Sequence, residues 1–68
     1  MDEKVATTAD TLELLMLNQI AIRAALEEVA LWINQRGSTD THGSVLGALE
    51  TLDRNAEAIL LGIERLRS

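Results

Sequence analysis

The sequence predicts an all-α fold, an antiparallel helical hairpin, on three observations. Leu, Ala and Glu dominate a chain with no proline, no cysteine and one aromatic residue, Trp32, which is a helical composition rather than a β-domain's. Two long stretches carry apolar residues every three or four positions, the spacing that returns side chains to one face of a helix. Between them lies a single strong break, Gly37-Ser38-Thr39-Asp40-Thr41-His42-Gly43, whose small and polar residues favour turn chemistry over helix.

The first nine residues are polar and small and read as a flexible leader, so the hairpin domain is expected over residues 10–68. Asp10 followed by Glu13 matches a capping box, with Thr8 or Thr11 as alternative caps. The first helix then runs over about 10–36. Arg36 suits the negative end of the helix dipole, and Gly37 offers the left-handed closing residue. Along this helix Leu12, Leu15, Ile22, Leu26, Val29 and Ile33 form a seam in which Gln19 is the one polar member.

The second helix, over about 44–67, has a cleaner pattern. Val45, Leu49, Leu52, Ala56, Ile59, Ile63 and Leu66 step by four and three without a polar interruption. Glu50 and Arg54, on its opposite side, are spaced as an i,i+4 pair, and Arg65 and Arg67 stand in the last turn, where cations suit the dipole. Asp40, Thr41 and Ser44 are the candidate caps. Gly47 and Gly62 suggest places where another backbone comes close. A short connection makes the helices antiparallel, and laying one seam against the other pairs Ile33 with Val45, Val29 with Leu49, Leu26 with Leu52 and Ile22 with Ala56. The same register sets Gln19 opposite Ile59, Leu15 opposite Ile63 and Leu12 opposite Leu66.

The first helix is apolar on other faces as well. Leu14, Ala21, Ala25 and Trp32 flank one side of the seam, and Leu17, Ile20, Ala24 and Leu31 lie farther round. One partner helix cannot cover so much. Sixty-eight residues also sit near the lower limit for folding unaided, where disulfides, metals or self-association are the usual remedies. Without cysteine, and with His42 the only histidine, self-association remains. The expected assembly is a homodimer, two hairpins forming a coiled-coil-like four-helix bundle. Its dimer or partner interface is expected at Leu14, Leu17, Gln19, Ala21, Ala25, Leu31 and Trp32, with Trp32 as an anchor and Gln19 either setting register as a buried amide or lying at the seam's edge with its amide in water.

Charge narrows the function classes. The chain carries −5 overall: six acids against three bases over residues 1–37, five against three over 38–68. Phosphate backbones and anionic lipid repel such a protein. Residues 1–10 lack an apolar segment behind a basic one, and five polar residues, Asn18, Gln19, Arg23, Glu27 and Glu28, interrupt the run 14–33, so a cytoplasmic protein without a membrane span is expected. No nucleophile elbow, phosphate-binding glycine loop or HExxH helix is present, and Asp40 with His42 reads as a solvated loop pair. The expectation is a non-enzymatic interaction module, an adaptor, regulator or assembly factor that needs no cofactor or metal and binds itself and another protein. The alternative is a nucleic-acid-binding regulator using Arg54 and Arg65, a stripe interleaved with Glu50, Glu57 and Glu64.

Overall fold

The computed structural model of the chain describes residues 2–68, which form two antiparallel helices and no strand: α1 over Glu3–Gln35 and α2 over Thr39–Arg67. Asp2 starts α1. Its backbone is extended, and its Oδ1 accepts a hydrogen bond from the Val5 N–H at 2.8 Å, satisfying one of the four donors that a helix start leaves unpaired. Residues 3–9, expected as leader, are thus the first two turns of α1, and Met1 lies outside the described residues. Asp10, Thr8 and Thr11 are interior positions rather than caps. The sequence pattern hid this because Val5, Ala6 and Ala9 are few and mostly small among polar neighbours, although Val5 and Ala9 continue the three-and-four spacing backwards from Leu12.

The end of α1 follows expectation. Gly37 has φ +80°, its N–H bonds to Asn34 O at 3.1 Å, and the Ser38 N–H reaches Ile33 O at 3.4 Å. This paired closure needs a left-handed residue that only glycine supplies without strain. The break itself is far shorter than the sequence suggests. Thr39 to Gly43 are already helical, Ser38 occupies the cap position without a side-chain bond, and none of Asp40, Thr41 or Ser44 caps. Ser44 instead returns its hydroxyl to Asp40 O at 3.2 Å. Asp40 in the first turn favours the helix electrostatically, which lets α2 begin five residues early.

Burial separates the two helices. On α2, Val45, Leu49, Leu52, Ala56, Ile59, Ile63 and Leu66 are all withdrawn from solvent, as expected, and His42 extends the line by one step. On α1 the withdrawn side chains are Val5, Ala6, Ala9, Leu12, Met16, Gln19, Arg23, Leu26, Ala30 and Ile33. Every second member of the expected seam is therefore outside it: Leu15 is 58% exposed, Ile22 57% and Val29 47%. Leu12, Gln19, Leu26 and Ile33 recur at sevens, and a residue three or four further on lies on one flank or the other of that line. The hairpin takes the flank holding Ala9, Met16, Arg23 and Ala30. Ala9 and Ala30 there let α2's larger side chains in, and the other flank would bring Thr8 inward in place of Ala9.

The ion pairs Arg23–Asp53 and Arg67–Asp10 lie within two positions of the expected register. Gln19 Nε2 donates to Leu52 O at 2.8 Å, a carbonyl that also accepts the helical bond from Ala56. Ile22 and Val29, expected opposite Ala56 and Leu49, are turned out to solvent. The resulting rod measures 52 × 15 × 11 Å with a radius of gyration of 15.7 Å, against about 11 Å for a compact chain of this length. Gly47 and Gly62 are not approached: a Cβ built at either meets nothing within 4 Å.

Leu49 is 6% exposed, so Leu49→Ala should lose about 2–4 kcal/mol in urea unfolding followed by circular dichroism. Gly47→Ala should gain about 0.5–1 kcal/mol. Equal effects of the two changes would contradict the seam described here.

Candidate functional site: the surface of the hairpin

Two ionic clusters tie the helices together. Near the middle, Arg23 forks onto Asp53, with Nε to Oδ1 at 2.5 Å and Nη2 to Oδ2 at 3.0 Å, and its Nη1 donates to Glu27 at 2.6 Å. The methylene stem of Arg23 fills a seam position while its head stays at the edge. At the open end, Arg67 Nη2 bridges Asp10 at 2.8 Å and Glu13 at 2.6 Å. The two residues read as a capping box thus serve as acceptors for the far end of α2. The bond from Asp53, then that from Glu27, pushes the Arg23 guanidinium further up, and the Asp10 bond does the same for Arg67. The Arg23 fork holds the Asp53 carboxyl below its ordinary 3.8. Glu50 and Arg54 do not pair; Arg54 Nη2 meets Thr51 Oγ1 at 3.4 Å instead.

Of the seven residues expected at an interface, Leu14, Leu17, Ala21, Ala25, Leu31 and Trp32 face solvent, with Leu14 64% exposed and Trp32 56%. Arg36 lies over the Trp32 ring, 4.6 Å from its centroid, a favourable cation–π distance. Gln19 is spent inside the hairpin, on Leu52. Sequence reasoning missed Leu15, Ile22 and Val29 as surface residues, and it had placed them in the hairpin. At about 100° per residue, they form the flank next to Ala25 and Trp32, with Leu14 and Ala21 at the back of the helix and Leu17 and Leu31 beyond. The whole outside of α1 from 14 to 32 is therefore apolar except for Asn18, Glu28 and the edge charges.

The opposite flank opens as a groove of about 550 Å³ between the second half of α1 and the first half of α2, over Ala30 and Leu49, with Leu31 and Leu46 on its walls. His42 also lines it, half-buried on α2 rather than solvated in a loop, and it makes no side-chain bond to Asp40. Arg54 and Arg65 are exposed. Among the described residues no group of three or more His, Cys, Asp or Glu is placed to hold a metal ion, and no helix is long and apolar enough to cross a membrane.

No protein-family model, no curated protein and no solved structure matches the chain.

The depressed Asp53 carboxyl sets a pH dependence. Its folded-state pKa lies below the unfolded value, so the Arg23–Asp53 fork contributes fully above about pH 4 and fades as pH falls through the range below 3.8. Asp53→Asn should be less stable than the parent chain at pH 7, with the gap closing on acidification below pH 4 in thermal unfolding by circular dichroism. A gap that does not change with pH would mean that the fork's charge contributes nothing.

Proposed function

We propose that the chain is a non-enzymatic protein-interaction module that works as a homodimer, two hairpins packed through the outside of α1 into a four-helix bundle. The observation that carries this reading is the row of large apolar side chains left wet along that helix, with Leu14, Leu15, Leu17, Ile20, Ile22, Val29, Leu31 and Trp32 each 47–64% exposed. Soluble monomers rarely expose so large a contiguous apolar surface.

The scale of the surplus supports a dimer. A compact 7.4 kDa protein exposes about 4,200 Å², while the hairpin exposes 5154 Å². The surplus is comparable to the ~800 Å² that each partner buries in an ordinary stable interface. Leu14, Ala21, Ala25 and Trp32 form the centre of the proposed contact, with Leu15, Ile22 and Val29 beside them and Leu17 and Leu31 at its far edge. The small Ala21 and Ala25 favour close approach of the second α1 near its midpoint. Two further features favour binding over catalysis and over nucleic acid. The exposed surface is aliphatic, with no convergent set of polar groups, and the net charge of −5 opposes a phosphate backbone. The proposal places the module in the cytoplasm, as its sequence suggests.

Light scattering at tens of micromolar should report roughly twice the 7.4 kDa chain mass. Trp32→Ala should weaken the dimer by about 1–3 kcal/mol, and Ile22→Asp should leave a helical monomer. A parent chain that scatters as a folded monomer would sink the homodimer.

A further inference from the structure

The groove on the other flank has a chemistry that the outside of α1 lacks. Its floor and walls are apolar, with Leu31 60% exposed and Leu46 44%. It exists because α1 presents Ala30 at a seam position where a larger residue would fill the space. Around it stand four carboxylates, Glu27, Glu28, Glu50 and Asp53, against the single guanidinium of Arg23, a local charge of −3. Arg23 is fully engaged by Glu27 and Asp53. Glu28 and Glu50 have no cationic partner among the described residues, and Arg54, the neighbour spaced to neutralise Glu50, is turned to Thr51.

We propose that this groove docks a basic amphipathic helix of another protein, with its apolar residues on Leu31 and Leu46 and its Lys or Arg side chains against Glu28 and Glu50. The inference deepens the module reading by naming the chemistry of its partner, but the groove is complete within one hairpin. Charge complementarity selects the occupant. A cationic helix is drawn by the field of a chain at −5 and finds two unpaired carboxylates at the rim. A second copy of this chain is a poor fit. Its Arg23 and Arg67 are held in ion pairs and its Arg36 lies on Trp32, while Arg54 and Arg65 alternate with glutamates rather than with leucines and Lys4 stands among Asp2, Glu3, Thr7 and Thr8. From Arg23 to Leu31 the groove follows α1 for about 12 Å, room for two turns of helix carrying apolar residues at i, i+3 or i+4 and i+7.

The probe is a fluorescein-labelled sixteen-residue peptide of leucines at helical spacing with lysine flanks, titrated with the full chain at low salt and followed by anisotropy. Saturable binding that weakens as salt is raised is expected. Glu28→Lys with Glu50→Lys should weaken it at least about tenfold, as should Leu31→Ser with Leu46→Ser made in the monomeric Ile22→Asp chain, since Leu31 also lies at the edge of the proposed dimer contact. Glu57→Lys with Glu64→Lys makes the same charge change away from the groove and should cost less than about threefold, the scale of screened surface charges. All six sites are exposed, and circular dichroism is the check that each variant is folded. Equal losses from the two charge-reversed pairs, or no loss from the leucine pair, would overturn the groove in favour of general adhesion to an acidic surface. The monomeric Ile22→Asp chain should still bind the peptide. A parent chain that scatters as a monomer yet binds the peptide would refute the homodimer and leave the groove standing.

Discussion

The hairpin depends on a polar layer at its centre. Gln19 and Arg23 are neighbours on one face of α1, one turn apart, and both reach across to the same stretch of α2, Gln19 to the carbonyl of Leu52 and Arg23 to the carboxylate of Asp53. Each contact is modest alone. A hydrogen bond contributes about 1 kcal/mol and an exposed ion pair less. Their consequence is rotational. With Gln19 and Arg23 both turned towards α2, α1 has one orientation about its own axis, and the rest of its circumference is decided. Ala9, Met16 and Ala30 go in; Leu15, Ile22 and Val29 go out.

How much of this was legible in the sequence differs between the helices for a physical reason. The α2 seam has one reading, because its apolar residues occupy both alternating positions without a polar interruption, although Leu46, Leu60 and Leu61 lie outside it. All seven expected members are withdrawn from solvent. In α1 two seams share Leu12, Gln19, Leu26 and Ile33, and hydrophobicity favours the one that the hairpin does not use. A signal was present: carrying the pattern back to Val5 and Ala9 fits only the observed seam. Reading those turns as leader removed it. The boundary errors have a common origin. Asp2 and Ser38, each at a cap position, stand ahead of stretches too polar to show periodicity, so helices that begin there look late.

The candidate site divides in the same way. The exposed leucines and Trp32 were legible because a surplus of apolar residues is a matter of counting faces. The groove was not, because it is made by what Ala30 leaves empty between Leu31 and Leu46, and those residues come together only when the register of both helices is known. Its charge was hidden too, since the i,i+4 spacing of Glu50 and Arg54 suggested mutual neutralisation that does not occur. A carboxylate freed by a neighbour's rotamer leaves no trace in a sequence.

The choice of seam also explains why the two surfaces can coexist. Turning α1 by about 50°, half a residue step on the helical wheel, would bring Leu15, Ile22 and Val29 against α2 and bury more aliphatic surface within a single chain. It would also carry Arg23 away from Asp53, withdraw Ala30 from the groove and bring Thr8 in for Ala9. The apolar face would be consumed internally and the acidic groove would lose its floor. The observed orientation gives up part of the burial open to a lone hairpin and keeps the cross-helix fork. What it leaves uncovered is an aliphatic flank with little charge on one side and an aliphatic groove ringed by carboxylates on the other. An uncharged partner surface suits the first and a cationic one the second. Under the two proposals, a partner complementary to one face is mismatched to the other, which would give a chain of two helices two separate specificities.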